Sequence, residues 1–161
     1  AGVRVGNYCL ICPGVRLSSA TEIVVGDNVM FAYGAYVTDS DWHDIYNRVA
    51  VVGKSAPVHI ENNAWIGDSV IVCKGVTIGE NSVIGAGSVV TSSIPANTIA
   101  AGNPARVIRP LDADRKIKTR AEWYADPAAL FRQIDRIDRE KLEGNTYLDW
   151  MRSTLFPKKG D

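Results

Sequence analysis

The sequence predicts an all-β fold, a parallel β-helix of six-residue repeats, followed by a C-terminal α-helical extension. The first observation is an aliphatic residue at every sixth position: Ile60, Ile66, Val72, Ile78, Ile84 and Val90. An α-helix would spread these residues around its surface, because it turns once in 3.6 residues. Short strands joined by tight corners fit the six-residue period, and three such repeats make one stacked coil. The second observation is a change in composition, with 15 charged residues in 1–109 and 21 in 110–161.

Composition excludes several broad classes. The chain has 161 residues and 46% hydrophobic content, which is enough for the core of one domain. A net charge of zero indicates neither a nucleic acid nor a membrane surface as partner, and no apolar run approaches a membrane span. We identify no signal peptide, and three cysteines suggest no disulfide framework, so a cytoplasmic location is expected. Cys9 and Cys12 form a lone CxxC, which we interpret as structural.

The same spacing extends towards the N-terminus. Two further coils are led by Val5, Ile11 and Leu17, and by Val25, Phe31 and Val37. We therefore expect the leading residues from Val5 to Val90 to face inward. The step from Val5 to Val25 is 20 residues rather than 18, so a two-residue insertion is expected near 18–22. The repeat then fails until Ile60, which predicts that residues of about 39–57 leave the β-helix as a loop. Loops of this length in compact domains are often functional.

We divide the chain into a β-helix domain, 1–109, and a helical extension, 110–161. Thr119 and Glu122 resemble a capping box, and Asp126 precedes a proline at a first helical position. Gly144 is expected to end that helix, and residues 146–155 to form another. One helix carries an apolar stripe, which most often packs on its own protein: Leu130, Phe131, Ile134, Ile137, Lys141 through its stem, and Leu142.

The run IGAGSVV with AGNPARVIR resembles the hexapeptide-repeat acyltransferases, especially the sugar and xenobiotic O-acetyltransferases. The similarity covers about 25–109 and does not include the helical extension. It implies a left-handed β-helix, a homotrimer, and a site between neighbouring subunits. It also implies acetyl-CoA or another acyl-CoA as donor, a small hydroxyl-bearing acceptor such as a sugar, and no metal.

The candidate catalytic residues lie in the loop, around the sequence DSDWHD. Transfer of an acyl group to a hydroxyl needs a base, and imidazole suits this because its ordinary pKa is about 6.5. In the resembled family a loop histidine does this work, and His43 is the only match. Asp41 or Asp44 is a candidate to hold the other ring nitrogen. Trp65 matches an aromatic residue that often lines the acceptor pocket, and Trp42 is a candidate for a second wall.

The resemblance also implies donor-binding residues. Ala86, within IGAGS, falls where the family backbone approaches the pantetheine arm, and Thr91 also matches the family. Arg106 and Arg109 match positions that commonly contact the phosphates of CoA, and a guanidinium suits phosphate oxygens.

Two other functions stay open at this point. A γ-class carbonic anhydrase shares the fold but needs three histidine ligands to zinc, and the chain has only His43 and His59. His59 precedes a leading residue and is expected to point outward. A non-enzymatic scaffold would use the prism and the helical extension as interaction surfaces. A nucleotide-sugar transferase is less favoured, because its nucleotide-binding domain would need many more residues upstream.

Overall fold

The structure, a computed structural model, describes residues 1–156 and contains two compact units, which divide between Ala121 and Glu122. The first unit is built from four coils of three short strands each. Coil 1 contains β1 (Gly2–Val5), β2 (Leu10–Ile11) and β3 (Arg16–Ser18). Coil 2 contains β4 (Glu22–Val25), β5 (Met30–Phe31) and β6 (Tyr36–Thr38). Coil 3 contains β7 (Val58–Ile60), β8 (Trp65–Ile66) and β9 (Ile71–Val72). Coil 4 contains β10 (Thr77–Ile78), β11 (Val83–Ile84) and β12 (Val89–Val90), and a hairpin of β13 (Thr98–Gly102) and β14 (Ala105–Pro110) follows.

Equivalent strands of the coils pair in parallel and form the three faces of a prism. The first strands make sheet A, the second strands with the hairpin make sheet B, and the third strands make sheet C. Ile60 lies beside Ile78 and Ile66 beside Ile84, as the repeat predicts. The predicted parallel β-helix of stacked six-residue repeats is therefore confirmed, whereas its left-handedness stays a prediction from the resemblance.

The leading residues of coils 2 to 4 form the core. Each is at most 3% exposed: Val25, Phe31, Val37, Ile60, Ile66, Val72, Ile78, Ile84 and Val90. Small residues at the corners, such as Ala64 and Ser88, are fully buried beside them. The narrow prism admits aliphatic side chains and one phenylalanine, consistent with the low aromatic content.

The expectation that the leads of coil 1 are also buried is wrong for two residues. Val5 is 42% and Ile11 is 49% exposed, although both pair in register with buried residues of coil 2. They lie at the end of the stack, and within residues 1–156 no coil covers their other side. Burial in a solenoid depends on a neighbour on each side, so an end coil leaves apolar surface open.

The register shows where extra residues leave the prism. Coils 1 and 2 are offset by 20 residues, with Val5 beside Val25, so two residues are inserted between β3 and β4. Coils 2 and 3 are offset by 35, with Val25 beside Ile60, and the chain between β6 and β7 forms a long loop. We call residues 39–57 the excursion loop.

Within residues 1–156 three helices follow the hairpin: α1 (Arg120–Tyr124), α2 (Pro127–Leu142) and α3 (Tyr147–Leu155). The Asp126 side chain caps α2 by accepting a bond from the Ala129 amide, 2.9 Å, and Thr146 caps α3. Gly144 lies between α2 and α3 with a φ of +81°, a left-handed conformation that glycine favours. No helix within residues 1–156 has both the length and the apolar character needed to cross a bilayer.

The apolar stripe of α2 is largely exposed. Leu130 is 9% exposed, but Phe131 is 70% and Leu142 is 59% exposed. Within residues 1–156 only Leu130 of this stripe is buried, so the packing of the rest of the stripe stays a prediction. The domain boundary at 109–110 stays a prediction, since the chain continues from the hairpin within the first compact unit to Ala121.

Candidate active site

The excursion loop leaves the prism at the edge between sheets C and A. It follows β6 of sheet C and precedes β7 of sheet A. The inserted residues after β3 and the turn 73–76 lie on the same edge, since each connects sheet C to sheet A. The turn 91–93 also lies there, because it leads from β12 to Ile94, which bridges Ile78 of β10. We call this edge the C–A edge, and it brings together segments that are distant in sequence.

A buried carboxylate fixes the base of the loop. Asp39 is fully buried and accepts bonds from the Ala20 amide at 2.6 Å, the Thr21 amide at 2.8 Å and the Ser19 hydroxyl at 2.7 Å. Burial alone would raise the pKa of this carboxyl, but these hydrogen bonds outweigh it and lower the pKa below its usual range. The two-residue insertion of coil 1 thus supplies the donors that hold the first residue of the loop.

The neck of the loop is closed by a short antiparallel contact. Ser40 and Ser55 form a β-bridge, and their hydroxyl oxygens lie 3.0 Å apart. The Asp41 amide donates to the Lys54 carbonyl, 3.0 Å, and the Ala56 amide donates to the Asp39 carbonyl, 2.9 Å. These bonds bring the ends of the loop together, so its central part projects from the edge.

His43 is exposed on this loop, and its ring is held from one side. Nδ1 lies 3.0 Å from the Ala50 carbonyl oxygen. A carbonyl oxygen only accepts hydrogen bonds, so Nδ1 carries the proton in the neutral ring and Nε2 keeps its lone pair. Gly53 packs against the same residue, because a Cβ there would lie 2.3 Å from the His43 carbonyl oxygen.

The two aspartates next to His43 bond to other groups. Asp41 forms an ion pair with Lys74. Asp44 accepts bonds from the Tyr46 amide, 2.9 Å, and the Asn47 amide, 2.8 Å. These amide bonds, Asn47 first, lower the pKa of the Asp44 carboxyl. The partner of the imidazole in this structure is the Ala50 carbonyl.

The two tryptophans lie in different places. Trp42 has a φ of +60°, and its indole N–H donates to the Thr38 hydroxyl, 3.0 Å, so the ring packs towards the base of the loop. Trp65 lies on β8 of sheet B and is 48% exposed. Sheet B does not border the C–A edge, so one chain does not bring Trp65 to His43.

The predicted donor residues spread over two edges and one face. Ala86 follows β11 at the turn from sheet B to sheet C, and Thr91 follows β12 on the C–A edge. Arg106 and Arg109 lie on β14, the outer strand of sheet B, and both are exposed. Arg109 borders a concavity of about 250 Å³. Its other lining residues are Leu111, Asp112, Arg115, Lys116 and Ile117.

Comparisons with known proteins agree with this architecture. Residues 57–92 match the family model of the bacterial transferase hexapeptide (six repeats). A galactoside O-acetyltransferase of Escherichia coli strain K12 is 46% identical over 92 residues, which are 56% of this chain and 45% of that protein. A hexapeptide-repeat acetyltransferase of Vibrio cholerae, solved with acetyl coenzyme A, is 33% identical with a TM-score of 0.65. The alignment covers 68% of this chain and 61% of that one. A galactoside acetyltransferase solved with coenzyme A is 32% identical, with a TM-score of 0.57 and 72% of each chain covered.

This chain belongs to the hexapeptide-repeat acetyltransferases. It spans less than half the length of the Escherichia coli relative. Within residues 1–156, no three His, Cys, Asp or Glu side chains group together as a metal site would require.

Several residues beside the candidate site were not predicted from the sequence. Lys74 contacts the loop that carries His43, and Gly53 packs against His43 from the returning part of the same loop. Arg115 and Lys116 border the concavity beside Arg109. Arg115 and Lys116 lie outside the region that resembles the family, about 25–109. Their positive charge close to the end of that region was the only indication of a role. The sequence also contained an indication for Asp39, because the two-residue insertion one coil earlier lies beside it on the same edge.

Proposed function

We propose that this chain is an acyl-CoA-dependent O-acetyltransferase, which moves an acetyl group from acetyl-CoA to a hydroxyl of a sugar or another small acceptor. His43 is the general base. Family membership supports the reaction class, and relatives that carry galactoside acetyltransferase names support a sugar acceptor.

The observation that carries the proposal is the environment of His43. The Ala50 carbonyl accepts from Nδ1, so the free lone pair is on Nε2. Within residues 1–156 no hydrogen bond is made to Nε2, and the side chain is exposed at the prism edge. A neutral imidazole with one fixed nitrogen and one open nitrogen is the arrangement that a general base needs.

His43 has two tasks in this reaction. Its Nε2 accepts the hydroxyl proton while the hydroxyl oxygen bonds to the acyl carbon of the thioester. The resulting imidazolium then returns this proton to the departing sulfur as the carbon–sulfur bond breaks. The Ala50 carbonyl stabilises the protonated ring, because its bond from Nδ1 becomes charge-assisted.

The phosphates of the donor are assigned to the basic face around β14. Arg106 and Arg109 project from this strand, and Arg115 and Lys116 add positive charge at the concavity beside Arg109. Asp112 is the acidic residue in that lining, and its carboxylate accepts a bond from the Asp114 amide, 3.1 Å. Guanidinium and ammonium groups bind phosphate oxygens through charge-assisted hydrogen bonds.

A homotrimer is part of the proposal. The loop with His43 lies on the C–A edge, whereas Trp65 and the arginines of β14 lie on sheet B. A neighbouring copy that presents sheet B to this edge would combine the two sets. A cytoplasmic location is also proposed, since the free thiols Cys9, Cys12 and Cys73 fit a reducing compartment.

Thiol release from acetyl-CoA, measured with a panel of sugars and other hydroxyl acceptors, tests the activity. With an accepted substrate, His43→Ala should lower kcat by roughly 10²–10⁴, the usual share of a general base. His59→Ala is the matched control, because His59 is the other histidine and lies on sheet A, 3.6 Å from Glu22. Full turnover by His43→Ala would exclude the mechanism, and absence of thiol release with every acceptor would favour a scaffold.

A further inference from the structure

The turn of coil 3 on the C–A edge contacts both ends of the excursion loop. Lys74 forms an ion pair with the carboxylate of Asp41, near the start of the loop. The next residue, Gly75, donates its amide to the Ala56 carbonyl near the end of the loop, 3.1 Å. One turn of the rigid prism therefore contacts the outgoing and the returning chain.

Asp41 is joined to His43 through a tight turn. The His43 amide donates to the Asp41 carbonyl at 2.7 Å, across Trp42. Trp42 has a φ of +60°, a left-handed conformation that is unfavourable for a large aromatic residue. Such a turn persists only when its surroundings hold it in place, and the side chains of Asp41 and Trp42 both bond to residues outside the turn.

The opposite side of the turn is closed by the returning chain. The Asp41 amide donates to the Lys54 carbonyl, 3.0 Å, and Gly53 touches the His43 carbonyl with no room for a Cβ. A movement of Asp41 would therefore also displace the His43 backbone, because both residues are confined between the prism and the returning chain.

The side chains of Lys74 and Asp41 are only 31% and 40% exposed. Partial shielding from solvent strengthens an ion pair relative to a fully exposed one. Lys54 and Asp44 also lie near Asp41, as shown by their shared lining of a concavity of about 250 Å³. Lys54 acts on the charge of Asp44, and within residues 1–156 Lys74 is the cation that forms an ion pair with Asp41.

We propose that Lys74 is a positioning residue of the reaction, which holds the turn Asp41–Trp42–His43 against the prism and so fixes the direction of the imidazole. The proposal rests on the proposed role of His43 as general base. Loss of the ion pair releases the turn, and small displacements of a catalytic group lower the rate by up to about 10²-fold.

The test compares Lys74→Gln with Lys74→Arg. Lys74→Gln should lower kcat by about 10-fold or more, with the KM for acetyl-CoA within about twofold, because the lysine acts through His43. Lys74→Arg retains the charge and should recover most of the rate. Arg4→Gln is the matched control, since it removes one positive charge and an ion pair with Glu22, 2.8 Å, on sheet A.

Amide hydrogen exchange gives a readout that does not depend on activity. The Asp41 amide, bonded to the Lys54 carbonyl, and the His43 amide, bonded to the Asp41 carbonyl, should exchange faster in Lys74→Gln and not in Arg4→Gln. Asp41→Asn removes the same pair from the loop side and serves if Lys74→Gln does not fold. In the double variant Lys74→Gln with Asp41→Asn, the loss of kcat should be smaller than the sum of the two single effects, as expected for partners in one interaction.

The outcomes separate this inference from the proposed function. If His43→Ala is inactive but Lys74→Gln keeps its kcat within twofold and its amide protection, the positioning role is wrong. If His43→Ala keeps full turnover, the proposed mechanism is wrong. Hydrogen exchange then still decides whether Lys74 holds the turn.

Discussion

Asp41 and Asp44 flank His43 in the sequence, but in the structure each carboxylate bonds to a different group. Asp44 closes a turn inside the loop, and Asp41 reaches the prism through Lys74. The imidazole is bonded by a backbone carbonyl instead. A backbone carbonyl fixes the tautomer of the imidazole without placing a negative charge beside it. The carboxylates of Asp41 and Asp44 can then form the contacts that hold the loop.

Asp39 should determine how the stability of the loop base depends on pH. Its lowered pKa means that its stabilising effect is complete above the ordinary aspartate pKa, about 3.9, and is lost as pH falls through the folded-state pKa. Asp39→Asn replaces an acceptor by a donor in a fully buried site and should lower the free energy of unfolding by about 2–4 kcal/mol at neutral pH.

Chemical unfolding of the wild type and Asp39→Asn between neutral and acidic pH measures this effect. The difference between them should stay constant near neutral pH and shrink below about pH 4. Asp114→Asn is the control, because this carboxyl is exposed and accepts no hydrogen bond within residues 1–156. A difference that is unchanged in acid would contradict the assignment of Asp39 as the ionised group.

At the scale of elements, the turns from sheet A to sheet B share one device. In four of these turns an asparagine with positive φ stands at the same position of the coil, Asn28, Asn63, Asn81 and Asn97, and in coil 1 Tyr8, also with positive φ, takes that position. Asn63 donates its side-chain amide to Asn81, 2.9 Å, and Asn81 donates to Asn97, 2.8 Å. Asparagine tolerates the left-handed conformation better than most residues, and its amide can both donate and accept. The ladder therefore ties successive coils together at a turn where strand pairing is interrupted.

Replacing Asn81, the middle residue of the ladder, should separate the contribution of the side-chain hydrogen bonds from that of the left-handed backbone conformation. Asn81→Gly keeps the backbone freedom but loses two side-chain bonds, for a cost of about 1–2 kcal/mol. Asn81→Ala should cost about 1 kcal/mol more, because alanine is strained at a φ of 59°. Urea unfolding midpoints at one protein concentration measure both variants. Equal midpoints for the glycine and alanine variants would show that the backbone conformation contributes nothing.

At the scale of the whole molecule, the sequence predicts the inward positions of the repeated coils. It does not predict the contacts between segments that the stacking of the coils brings together. The six-residue spacing identified the core from Val25 to Val90, and Asp126 before a proline identified the start of α2, because both signals are local. The pair between Lys74 and Asp41 joins residues 33 positions apart, across a loop whose path has no periodicity. The exposure of Val5 was missed for a related reason. A repeat pattern defines the inward direction, but burial requires a further coil.

The largest-scale prediction concerns where the site is assembled. His43 lies on the C–A edge and Arg109 on the outer strand of sheet B, so a site that needs both is expected to take them from neighbouring copies. Arg109→Ala should raise the KM for acetyl-CoA by roughly 10–100-fold, the effect of losing a charge-assisted phosphate contact. His43→Ala should instead lower kcat.

Mixing these two weakened variants tests the arrangement. After denaturation and joint refolding at equal amounts, assayed at low acetyl-CoA, a site between copies is intact when one neighbour supplies His43 and the other supplies Arg109. Random assembly of a cyclic trimer makes about a quarter of the sites intact, so about a quarter of the wild-type rate should return. Variants refolded separately and then combined are the control. Recovery no greater than in that control would mean that both residues serve the same site from one chain, or that the copies do not assemble.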